Sequence, residues 1–151
     1  MRTPARLTIG AAAALLAGRV SAGPPAPDHP LIGTWQLSLP GTPCIETYEY
    51  RADGSAHTLS AQEETDTQYS VTATPDAHGY YVLTETILKS NGKRDCSGQL
   101  TPVGRAVTLY LAPLRGGFLM CFDAALQSCV GPMTRVPPRP PPAAAPAGVR
   151  G

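Results

Sequence analysis

Residues 44–62 read CIETYEYRADGSAHTLSAQ, two strand-like runs on either side of Asp53-Gly54. Tyr48 and Tyr50 share one face of the first run, while Glu46 and Glu49 fall on opposite faces, because successive side chains in a strand point to opposite sides. Asp-Gly suits the tight turn of a hairpin, in which both central residues need a positive φ. The stretch therefore predicts two antiparallel strands, 44–51 and 55–62, joined by a short turn.

The same punctuation recurs along the chain. Pro40-Gly41, Asn91-Gly92 and Arg115-Gly116-Gly117 mark further turns, and softer breaks fall at 63–66, 75–79 and 102–104. Together the seven breaks predict eight strands: 32–39, 44–51, 55–62, 67–74, 80–89, 96–101, 105–112 and 118–122. Several alternate: Trp35, Leu37 and Leu39 share a face in the first, Tyr69, Val71 and Ala73 in the fourth, Val107, Leu109 and Leu111 in the seventh. Period two marks strands with one buried face. No window carries a helical period, apart from a turn at 123–128. Short connections force consecutive strands to pair antiparallel. Eight such strands with one apolar face remove their exposed edges by closing, so the expected fold is all-β, an eight-stranded antiparallel up-and-down barrel. A two-sheet sandwich would need a longer crossover than this chain offers.

The ends differ in composition from residues 31–136, which form the expected domain. Residues 1–22 have the layout of a secretory signal peptide: Arg2 and Arg6, an uncharged Ala- and Leu-rich run over 7–18, then Val20-Ser21-Ala22 as the cleavage region. That run is too short for a membrane span, which takes roughly 20 residues. Residues 23–30 (GPPAPDHP) form a Pro-rich arm, and the Pro- and Ala-rich residues 137–151 have too little to bury to offset the entropy of ordering them. Removal of residues 1–22 takes away Arg2, Arg6 and Arg19 and no acid, so 12 basic and 11 acidic residues become 9 and 11, a net of −2. Scattered, near-balanced charge gives no footprint for nucleic acid or an anionic membrane. The expected location is periplasmic or secreted.

Four cysteines, Cys44, Cys96, Cys121 and Cys129, fall inside the domain, and an even count in an exported chain points to two disulfides. No CxxC spacing suggests a metal or redox site. Of the three possible pairings we favour Cys121–Cys129, which closes a short local loop, with Cys44–Cys96, which crosses a barrel end. Tyr48, Tyr50 and Tyr69 are candidate ligand-binding residues, since hydroxyls in an apolar lumen are usual in a small-molecule pocket. Glu46, Glu49 and Glu85 are expected to face solvent, because a buried charge without a partner is costly. His29, His57 and His78 are scattered and expected at the surface. Neither a metal nor a cofactor is expected. With no nucleophile elbow, phosphate loop or ligand-spaced histidine pair, the expectation is that the chain is not an enzyme.

Two resemblances add to this reading. Leu31-Ile32-Gly33-Thr34-Trp35 resembles the Gly-x-Trp signature of lipocalins. Tyr48-Glu49-Tyr50-Arg51-Ala52-Asp53-Gly54 is similar to the aromatic-x-x-Asp-Gly hairpin of small bacterial lipocalin-like proteins. The resemblance covers roughly residues 31–136 and implies a calycin-type barrel in which Trp35 plugs one end, close to Gly33 and beneath Arg135. The Thr-Asp-Tyr motif and the C-terminal helix of full-size lipocalins are not evident. A looser resemblance is to bacterial metalloprotease inhibitors, periplasmic eight-stranded barrels with Gly-x-Trp near the start and a Cys soon after, as at Gly33, Trp35 and Cys44. Two functions follow as expectations. One is an exported lipocalin-like binding protein for a small, partly apolar ligand. The alternative is a protein-binding module, such as a periplasmic protease inhibitor or other envelope partner, using its loops or the Pro-rich arm. The sequence leaves the oligomeric state open.

Overall fold

The computed structural model describes residues 24–138. The signal-peptide reading of residues 1–22, and the tail beyond its first two residues, lie outside the described residues.

Eight strands close into one barrel, each hydrogen-bonded to the next in chain order and the last to the first. They are β1 (Gly33–Ser38), β2 (Ile45–Tyr50), β3 (Ser55–Ser60), β4 (Glu63–Val71), β5 (Tyr81–Ser90), β6 (Ala106–Leu114), β7 (Gly117–Cys121) and β8 (Cys129–Arg135). The fold is all-β and up-and-down. Closure rests on a short seam, where Trp35 pairs with Arg135 and Gln36 with Thr134, and Val136 N–H donates to Thr34 O at 2.8 Å. No helix among the described residues is long and apolar enough to cross a membrane.

A turn forms at Asp53-Gly54, but of its two residues only Gly54 takes a positive φ. The Gly54 N–H donates to Arg51 O at 3.1 Å, so the turn is wider than the tight one expected. The Asp53 carboxylate accepts the Ser55 N–H at 2.8 Å, and Gly54 has φ +82°. Gly54 is also a contact point, because a Cβ there would press on the Gln68 side chain and the Tyr69 carbonyl. Glycine is needed here for both conformation and space.

Three predicted elements differ from those observed. The break expected at 63–66 is strand, and the turn falls at Ala61 and Gln62, between the register partners Ser60 and Glu63. Glu63, Thr65 and Thr67 continue the inward face of Tyr69 and Val71, and their polarity disguised the alternation. Residues 96–101 are not a strand. They lie in the 91–105 connection, wound around the Asp95 carboxylate, which accepts the Ser97 and Gln99 N–H groups at 2.8 and 2.7 Å. The eighth strand is instead Cys129–Arg135, hidden by its Gly131-Pro132. Proline has no N–H for a ladder, and here it sits where the β7–β8 register shifts, between Phe118 paired with Met133 and Met120 paired with Val130.

The strand ends fall into two sets. Gly33, the 51–54 turn, the β4–β5 loop, the β6–β7 turn and Arg135 gather at one end, which is filled by Leu31, Trp35, Tyr50, Leu83, Phe118 and Met133. The 39–44 loop, the 61–62 turn, the 91–105 connection and the 122–128 turn surround the other.

Candidate functional site

The filled end is sealed by a small set of side chains. Trp35 is 4% exposed, donates its indole N–H to Leu31 O at 2.7 Å and meets the Phe118 ring edge-on at 4.9 Å. Arg135 lies over the indole, its Cζ 4.4 Å from the ring centroid, and donates to Ile32 O at 3.0 Å and Pro30 O at 2.7 Å. Gly33 has φ +132°, and a Cβ there would run into the Arg135 guanidinium. The Pro-rich arm joins this seal. His29, expected at the surface, is 5% exposed. Its Nδ1 accepts the Leu31 N–H at 3.1 Å, so Nε2 carries the proton and donates to Thr72 O at 3.1 Å. Burial holds the imidazole below its ordinary pKa and in its neutral form.

Toward the opposite end the lumen widens into a cavity of about 380 Å³. Its two sides differ chemically. One is apolar, built by Leu37 of β1, Ile87 of β5, Val107 and Leu109 of β6, Met120 of β7 and Val130 of β8. The other, on β2, β3 and β4, carries Glu46, Tyr48, Ser60, Glu63, Thr65 and Thr67. Arg105 and Asp95 reach in from the 91–105 connection. A disulfide between Cys44 and Cys96 ties that connection to the start of β2, and a second joins the register partners Cys121 and Cys129 beside the same opening. Both bridges match the pairing favoured from the sequence. The cavity thus has one closed end and one cross-linked mouth.

The three candidate tyrosines take different places. Tyr48 lines the cavity and donates its hydroxyl to Glu46 Oε2 at 2.5 Å. Burial and the neighbouring Glu46 carboxylate hold its phenol well above the ordinary range. Tyr50 and Tyr69 are packed in the core below the cavity, edge to face with ring centroids 5.1 Å apart. Tyr69 donates to Arg51 O at 2.7 Å, and burial pushes its pKa up to about 12. The Tyr50 hydroxyl, close to Glu85, makes no hydrogen bond of good geometry among the described residues.

The carboxylates depart most from expectation. Only Glu49 is outside, paired with Arg51 at 2.8 Å. Glu46 faces the lumen, accepting from Tyr48 and from Ser60 Oγ at 2.5 Å. Glu85 is buried, 8% exposed, and lines the cavity, its pKa raised by burial. Glu63, not singled out from the sequence, is buried too, and accepts the Thr101 N–H at 3.1 Å. A polar lumen compensates some of the cost that made solvent-facing carboxylates the natural expectation. The signal for Glu85 was its place between Leu83 and Ile87 at period two. His57 stays outside, 2.8 Å from Asp66. Groups of three or more metal-ligating side chains are absent among the described residues.

These features define an eight-stranded closed antiparallel barrel with a half-polar lumen, sealed at one end. Comparisons with protein-family models, with curated proteins and with solved structures each return no match to this chain.

Proposed function

We propose that this chain is an exported, lipocalin-like binding protein that holds a small, partly apolar ligand in its barrel lumen. The observation that carries the reading is the cavity of about 380 Å³ lying inside the barrel and opening at the disulfide-linked end. Small-molecule sites are concave, of about 300 Å³ or more, and mix apolar walls with a few convergent polar groups. The side chains of Leu109 and Met120 facing Tyr48 and Thr67 meet that description. Exposed apolar side chains near the mouth, Ile45, Leu100 and Phe122, offer an amphiphile a favourable approach.

Export is supported by the signal-like residues 1–22 and by two disulfides, which persist in oxidising compartments. The Gly33, Trp35 and Arg135 arrangement supports the lipocalin-like reading. The protein-binding alternative expects a filled barrel that binds through its loops or the Pro-rich arm; the open lumen and the ties of His29 and Pro30 to Thr72 and Arg135 favour the lumen reading. The reading assigns binding and no catalysis.

Fluorescence titration of the full chain with the neutral apolar probe N-phenylnaphthylamine tests it. Saturable binding is expected, weakened at least about tenfold by Val107→Trp, which overfills one wall. An absence of saturable binding, or an unchanged affinity in the Trp variant, would overturn the reading.

A further inference from the structure

The polar groups of the lumen are not equally satisfied: among the described residues, Thr67 Oγ1 has no hydrogen-bond partner, and Glu85, on the neighbouring strand, has no cation beside it. Glu46 is engaged by Tyr48 and Ser60, Glu63 by the Thr101 N–H, and Asp95 by its own turn. Glu85 has no cationic partner among the described residues. The Tyr50 hydroxyl near it lacks hydrogen-bonding geometry. On the adjacent strand, Thr67 is 2% exposed and its Oγ1 has no partner among the described residues. Both residues line the cavity. Thr67 is the register partner of Ile87, which makes Glu85 its diagonal neighbour on the same face, within reach of one shared group.

Resting on the binding reading above, we propose that the ligand is a small amphiphilic amine whose ammonium group sits between Glu85 and Thr67 and whose apolar body lies along Leu109 and Met120.

Buried polar groups without partners are costly, and natural structures retain few of them. The ionised carboxylate and the threonine oxygen both accept hydrogen bonds, and an ammonium supplies three donors and no acceptor. The charge balance agrees: Glu46, Glu63, Glu85 and Asp95 line the cavity against Arg105, which is exposed. A carboxylate headgroup would meet Glu85 as a like charge. A neutral hydroxyl can donate to Glu85 and accept from Thr67, but it brings no charge to offset the buried carboxylate. Ile87 and Val107 beside the pair, and Leu109 and Met120 farther round the barrel, give an alkyl or aryl body an apolar wall. Burial raises the Glu85 pKa, and an ammonium set against the carboxylate favours its ionised form and makes a charge-assisted pair.

Calorimetric titration of the full chain with octylamine, octanol and octanoate, three probes with the same tail, separates this proposal from the broader one. Octylamine is expected to bind at least about tenfold more tightly than octanol, with octanoate weakest, and Glu85→Gln to reduce octylamine affinity about tenfold or more while sparing octanol. Equal affinity for octylamine and octanol would overturn the amine assignment and leave the binding lumen standing. An unchanged octylamine affinity in Glu85→Gln would do the same. Failure of all three probes to bind would remove both readings. The comparison among probes uses the wild-type chain, so it holds even if the variant does not fold.

Discussion

Arg135 and Trp35 are register partners on the strands that close the barrel, and the guanidinium of one lies across the indole face of the other at 4.4 Å. The pair thus joins β8 to β1 and caps the sealed end at once. Arg135 also holds the carbonyls of Pro30 and Ile32, so its loss would strip partners from backbone groups beside the core. Arg135→Ala is expected to lower unfolding free energy by about 1–3 kcal/mol, with Arg135→Lys intermediate, since lysine cannot reproduce the planar fork. Urea unfolding followed by Trp35 fluorescence measures this. A change within error would show that the cap is ornamental to closure.

His29 should make stability depend on pH in a defined direction. Its folded pKa lies below the ordinary 6.5, so the unfolded chain takes up the proton first as pH falls. The stabilisation is complete above about 6.5 and is lost as pH drops toward the folded value. Tm should therefore fall between pH 7.5 and pH 5 more steeply in the wild type than in His29→Gln. Parallel curves would contradict a buried neutral imidazole.

Glu85 has the opposite sign. Burial raises its pKa, and the ionisable groups near it, Tyr48, Tyr50 and Tyr69, contribute no positive charge. Its neutral form fits the fold, so stability is complete below the unfolded carboxylate pKa and declines as pH rises through the folded value. Glu85→Gln should raise Tm at pH 8 and leave it nearly unchanged at pH 4. A loss of stability at pH 8 would mean that the carboxylate is compensated in the empty barrel.

The two disulfides should contribute unequally. Cys44–Cys96 spans 52 residues and Cys121–Cys129 spans 8. Chain-entropy scaling gives about 4 kcal/mol for the longer loop and about 2.5 kcal/mol for the shorter. Paired Cys→Ser variants compared by urea unfolding are expected to follow that order, and the reverse order would contradict it.

The barrel was legible because its hairpins advertise themselves. Gly54 and Gly116 supply positive-φ positions in the β2–β3 and β6–β7 turns, and Trp35, Leu37 and Val71 alternate cleanly, whereas Asn91-Gly92 opens the longer 91–105 connection. The expected count of eight strands matches the structure, although 96–101 is not a strand and β8 has no counterpart among the expected ones. Residues 96–101 read as a strand because strand and loop are hard to separate over six mixed residues, and β8 does not read as one because Pro132 at a register shift looks the same in sequence as Pro132 in a turn.

The lumen was harder to read. Period two shows which residues share a face, and Glu85 does alternate with Leu83 and Ile87. It does not show whether that face is filled or hollow, and a hollow face tolerates Glu63, Thr65 and Thr67 where a packed one would not. His29 carried no signal at all, because a proline-flanked histidine has no periodicity. Its burial follows from where the closed end of the barrel meets the arm.

The central claim is that the barrel binds its ligand in the lumen rather than at the sealed end or on the outer wall. Methyl NMR of the full chain titrated with octylamine tests it most directly. Saturable shifts are expected at Met120, Val107, Leu109 and Ile87, with Leu31 and Met133 at the sealed end unmoved. Shifts confined to the sealed end, or none at the lumen methyls under saturating probe, would contradict the account.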